Sequence, residues 1–189
     1  MPSPFIPLQR GKPLPLRQPA EGPRRVVVLE KETRTMKLDN FPDNSRIWIY
    51  TSNRAVSDSD QQEMAGPIAD FLEKWAAHGT QLAAAGAWLN AYQLVIALDE
   101  SVAGASGCSI DAQTRFMRSI GEEYSIDWFD RLSMIIEENG EVKRVSFFEL
   151  ADHPDALLFD SLVQRLGDVR GEWPVAMGKS RYGHIVSNR

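Results

Sequence analysis

Residues 94–111 read Leu94-Val-Ile-Ala-Leu-Asp-Glu-Ser-Val-Ala-Gly-Ala-Ser-Gly-Cys-Ser-Ile-Asp111. The run Leu94–Leu98 is apolar on both faces, which predicts a strand in the middle of a sheet. It ends on two carboxylates, Asp99 and Glu100. A loop of small residues follows, with glycines at 104 and 107. Cys108 then stands just before a helical pattern running from about Ser109 to Tyr124. Ile110, Phe116, Met117 and Ile120 make the inward stripe of that helix.

Upstream, Arg46-Ile-Trp-Ile-Tyr50 alternates with period two, Ile47 and Ile49 on one face and Trp48 and Tyr50 on the other. Ser57 opens a helix, with Asp60 as a capping-box-like partner. Met64, Ile68, Phe71, Leu72 and Trp75 form its buried stripe. Gly66-Pro67 predicts a kink or restart, and Gly79 after His78 predicts the stop. Leu82–Trp88 and Tyr92–Leu98 are the next two strands. Downstream, Leu132–Glu137 and Val142–Phe148 flank Asn139-Gly140, a strong hairpin signal. A last helix is expected from about Pro154 to Leu166, carrying Leu157, Leu158, Leu162 and Val163.

The order β-α-β-β-α-β-β-α predicts an α+β fold. The expected form is a split β-α-β (ferredoxin-like) antiparallel sheet with helices on one face, plus an added C-terminal hairpin strand and helix. Three regions follow. Residues 1–35 are expected to be a disordered, proline-rich extension. Residues 36–166 form the α+β domain, and 167–189 a loop-like tail. Seven of the eleven prolines fall within residues 1–25, where missing donors and fixed φ prevent ladder formation. Met36 precedes the domain sequence, so two readings of the extension stay open: a genuine segment, or residues ahead of the true start.

Composition narrows the function classes. Of 189 residues, 43% are hydrophobic and 25% charged, as in an ordinary globular chain. A single cysteine allows no internal disulfide, and no apolar run has the length of a membrane span, so a cytoplasmic location is expected. Residues 1–25 carry five cations and Glu21, a balance of +4; the total of −5 therefore leaves −9 for the rest. An acidic body repels phosphate backbones, so nucleic acid is not an expected partner.

The topology sorts polar groups to two ends of the sheet. One end collects His78, Asp99, Glu100 and the loop to Cys108. A thiol near a helix N-terminus is activated by the amide dipoles, His78 could act as its base, and Asp99 or Glu100 could orient that base. The same loop offers an anion site: Gly104 and Gly107 admit close backbone approach, and Ser106 and Ser109 supply hydroxyls, although Ser109 as N-cap explains the pattern equally well. The other end collects a second cluster, Asn53, Arg54 and Arg131. Three scattered histidines and one cysteine lack metal-ligand spacing, so no metal and no cofactor are expected. The tryptophans at 48, 75, 88, 128 and 173 are expected in the core or on its rim.

Trp48-Ile-Tyr-Thr-Ser-Asn-Arg54, Trp75-Ala-Ala-His-Gly79, Asp99–Asp111 and Phe129-Asp-Arg131 together resemble a small bacterial family over roughly residues 46–165. Its members are often labelled ABC-transporter ATPases, and the resemblance implies an ATP-related role. The residues themselves lack a phosphate loop. Gly178-Lys179-Ser180 has Trp173 where the motif needs its first glycine, with no strand before and no helix after. The leading expectation is a binding or interaction protein with a small anionic ligand or a protein partner at the 101–111 loop. The alternatives are a thiol-dependent enzyme using Cys108 with His78, and the ATP-related role.

Overall fold

The computed structural model describes Val27–Val28 and residues 38–187. The expected disordered extension, residues 1–35, thus lies outside the described residues except for those two valines. The fold is mixed α and β, built on antiparallel sheets.

The first sheet has the order β1-β5-β6-β2, formed by Val27–Val28, Ala83–Asn90, Gln93–Asp99 and Arg46–Thr51. Strand β6 is central, as its two apolar faces require. Its register sets Trp48 and Gly86 beside Ile96, and Tyr50 and Trp88 beside Leu94. The Tyr50, Trp88, Leu94 and Ile96 side packs against Met64, Ile68 and Leu72 of α1 (Asp58–Lys74) and Met117 and Ile120 of α2 (Gly107–Tyr124). On the opposite face, Ile47, Ala85, Val95 and Ala97 meet Leu38, Phe41 and Leu166.

Helix α1 starts where expected, with the Ser57 side chain accepting the Asp60 amide. It departs from expectation twice. It runs through Pro67 without a break, and it ends at Lys74. His78 and Gly79 are not its stop. Both have positive φ, 50° and 82°, and form the turn of a small hairpin between β3 (Ala76–Ala77) and β4 (Thr80–Gln81). A two-residue turn with both φ positive matches the right-handed strand twist.

The predicted fourth strand, β7 (Ser133–Glu138), does not join the first sheet. It pairs with β8 (Glu141–Ser146) in a second sheet of order β10-β9-β7-β8. Asn139 and Gly140 make the expected tight turn, with φ of 53° and 81°. The expected helix at 154–166 is absent. Leu157–Leu158 form β9 against Ile136 and Glu137, and the chain then passes through a turn at Ser161–Leu162 to α3 (Leu166–Arg170). Leu158 is buried in β9 and Leu166 against the first sheet, while Leu162 is exposed, so these leucines share no helix face. The tail is not all loop either: β10 (Val175–Ala176) pairs with β9, and α4 spans Gly183–Ser187. Met177 is fully buried with Leu150 and Leu158 in a third core. Among the described residues, no helix is long and apolar enough to cross a membrane.

Candidate functional site

The Asp99–Asp111 segment forms the strand, loop and helix expected of it, but its polar groups are used locally. Helix α2 begins two residues early, with Ser106 rather than Ser109 as N-cap. Ser106 Oγ accepts the Ser109 amide at 3.2 Å, and Ser109 Oγ accepts the Ser106 amide at 2.8 Å. This reciprocal cap consumes both hydroxyls proposed for an anion. Asp99 accepts the Ser101 amide at 2.9 Å. A Cβ placed on Gly104 would lie 3.5 Å from a Glu100 carboxylate oxygen, so an anion there would meet a like charge. Gly107 has open space around it.

Cys108 is exposed in the first turn of α2, and His78 is exposed at its hairpin tip. The Trp75 indole donates to Ser109 O at 2.8 Å, which ties the end of α1 to the start of α2. Among the described residues no hydrogen bond joins Cys108, His78 and Asp99. No three His, Cys, Asp or Glu side chains gather there into a metal-holding group.

The second cluster is a set of ties. Arg54 donates to Tyr124 O at 2.6 Å and to Ser125 O at 3.4 Å, at the C-terminus of α2, where cations complement the helix dipole. It also meets Asp60 in the first turn of α1 at 3.2 Å and donates to Ala55 O at 3.0 Å. Asn53 exchanges two hydrogen bonds with the Asp127 backbone. Arg131 is exposed and does not join them.

A cavity of about 500 Å³ lies elsewhere, along the outer edge of β2. It is bounded by Trp48 and Tyr50, by Phe129, by Thr114 of α2 and by residues 161–165, which lead from a turn at Ser161–Leu162 to a bridge at Arg165. That stretch begins as a ladder with β2. Leu166 N donates to Ser45 O and Ile47 N donates to Gln164 O, both at 3.0 Å, around an Arg46–Arg165 bridge. The register carried onward would pair Ile49 with Leu162. Leu162 N instead donates to Asp160 Oδ1 at 2.9 Å. Asp160 is itself 5% exposed; its Oδ2 accepts Arg181 Nε at 2.7 Å and its carbonyl accepts the Trp173 indole at 3.1 Å. The ladder is therefore held open at Ile49.

At the mouth, Arg46 lies over the Trp48 ring, 4.7 Å from its centroid. Glu100 sits between Arg46 at 3.9 Å and Arg165 at 3.7 Å. Arg165 spends Nη1 on Asn44 O at 2.8 Å, and both guanidiniums face Glu100 at distances longer than direct hydrogen bonds, so their other N–H groups remain for a further anion. Inside, Tyr50 meets Phe129 edge to face at 6.0 Å, and burial pushes the Tyr50 hydroxyl well above its ordinary pKa, keeping it a neutral donor.

Sequence reading named Glu100 and the tryptophans but missed Arg46, Arg165 and Leu162 as a group. They come together through a strand edge and a non-helical segment. Neither leaves a spacing signal. Comparison with family profiles, curated proteins and solved structures found no match.

Proposed function

We propose that this chain is a binding module whose ligand enters the cavity beside β2. The observation that carries this reading is the interrupted ladder at Ile49, which leaves backbone groups open beside aromatic walls and a guanidinium pair. Cavities of this size suit small molecules or short peptide segments. The anionic ligand or protein partner expected from the sequence is thereby moved from the α2 cap to the Arg46–Arg165 mouth. The strand connection β2-α1-β5-β6 retains the split β-α-β reading for three strands, and the cavity lies where a fourth would pair.

The test is a titration of ¹⁵N-labelled protein with a panel of small carboxylates and short extended peptides. Binding should shift Ile49, the Trp48 indole and the Arg165 side chain. Shifts confined to Gly104–Ser109, or none across the panel, would count against the reading.

Exposure of Cys108 sustains a second reading, a thiol-dependent enzyme with His78 as base. Its thiol reactivity against pH, in wild type and His78→Ala, decides it. Profiles of a free cysteine in both proteins remove that reading.

A further inference from the structure

We infer that the occupant of this cavity is an extended peptide bearing a carboxylate, which adds as a short strand to β2. The inference rests on the binding reading above and names the class of ligand. Antiparallel strands alternate the side to which their amides point. Ile47 N points away from β6, because it donates to Gln164. Ile49, two residues on, points the same way. Outside the β2–β6 ladder, from which Ile49 points away, its amide and carbonyl make no backbone hydrogen bond among the described residues. The group that would have paired with it, Leu162 N, is bound by Asp160. A single residue of an extended peptide presents the one carbonyl and one amide that Ile49 lacks. A small apolar acid does not.

The opening is built into the fold. A nearly buried aspartate is committed to holding Leu162 off the edge, and Arg181 neutralises that aspartate. Leu162 is left 54% exposed beside the cavity, an apolar side chain that an added strand would cover. At one end of the gap stand Arg46 and Arg165 with Glu100 alone between them. This excess of positive charge selects a carboxylate. Trp128 also lines the cavity, and its buried indole nitrogen has no hydrogen-bond partner among the described residues.

The experiment uses the full chain and four probes: acetyl-Ala-Val-Glu as the free acid, its Gln-amide counterpart, the acid N-methylated at its central residue, and benzoate. The acid should bind with shifts at Ile49 and Arg165. The amide and the N-methylated acid should each bind about tenfold more weakly, a loss expected for one removed charge-assisted or backbone bond. Arg165→Gln should weaken the acid and leave the amide unchanged. Benzoate bound in the cavity with no peptide bound would overturn the peptide class and leave the binding reading standing. No shift from any of the four at the cavity would overturn the inference. Equal affinity of the N-methylated acid would overturn strand addition. Ile49 shifts that grow with protein concentration in the absence of peptide would assign the edge to a second copy of the chain and overturn the inference.

Discussion

At the scale of single residues, Gly121 shows how a side chain that is missing organises a helix end. A Cβ there would lie 2.5 Å from Ile126 O and 2.9 Å from Trp128 Cδ1. Helix α2 can close on the buried indole only because nothing projects at that position. Gly121→Ala should therefore destabilise the chain by about 1–3 kcal/mol, the usual cost of overpacking, read from the urea midpoint. No pattern in the sequence marks this glycine, because its constraint comes from a turn five residues on. By contrast a serine cap was legible, since a small polar residue ahead of an apolar stripe is a cap signal, but the sequence placed it at Ser109 and the structure has it at Ser106. Ser106→Ala should cost about 0.5–2 kcal/mol by the same measurement. The Cys108, His78 and Asp99 grouping was drawn from topology alone. Topology brings elements to one end of a sheet, but whether side chains converge there depends on local turns. Here Asp99 turns back on Ser101, and the hairpin carries His78 to an exposed tip.

At the scale of elements, β2 was readable from its alternation and β6 from its continuous apolar run, and β2, β5 and β6 lie close to the expected positions. The failure at 154–166 has a physical cause. Leu157, Leu158, Leu162 and Val163 mimic a helical stripe, yet Leu157 and Leu158 are drawn into β9 beside Glu137 and Ile136. The hairpin β7–β8 carries a pH signature. Lys143 Nζ at 2.8 Å and then His153 Nδ1 at 3.0 Å hold the Glu138 carboxyl below its usual range. A folded-state pKa below the unfolded one adds stability that is present at neutral pH and lost as pH falls through the carboxylate range. The urea midpoint should drop between about pH 6 and about pH 3, and drop less in Glu138→Gln. The edge of β2 makes its own prediction. Trp48 and Tyr50 amides face β6, while Ile49 faces the cavity, so Ile49 should exchange its amide hydrogen faster than either neighbour. Equal protection of all three would mean that the edge is closed in solution.

At the scale of the whole molecule, the question is whether two antiparallel sheets act as one body. Their strands share no continuous ladder, yet one side chain bonds to both. Gln93, with no exposed surface, donates from Nε2 to Phe159 O at 3.0 Å and to Thr51 Oγ1 at 3.3 Å, while its Oε1 accepts Asn90 Nδ2 at 2.9 Å. Phe159 N in turn donates to Ile135 O, so the bond reaches the second sheet through one residue. Leu166 adds an apolar tie: it follows the stretch that leaves the second sheet and packs on Ile47 and Val95 of the first. Arg170 adds a polar one, donating to Leu38 O at 2.6 Å. Arg170 lies beyond the limit at residue 166 expected from the sequence, and so does the buried Met177; composition records glycines and charge there but not burial. Removing the amide in Gln93→Leu leaves the Phe159 carbonyl buried without its donor, which should cost about 1–3 kcal/mol. If the sheets form one cooperative unit, that loss should move a single transition. Tryptophan fluorescence, dominated by the first sheet, and exchange of Ile135 and Ile136 amides in the second should then report the same change in unfolding free energy. A shift seen by one probe alone would show two units that unfold separately, and would make the stretch 159–166 a linker instead of the wall of a binding cavity.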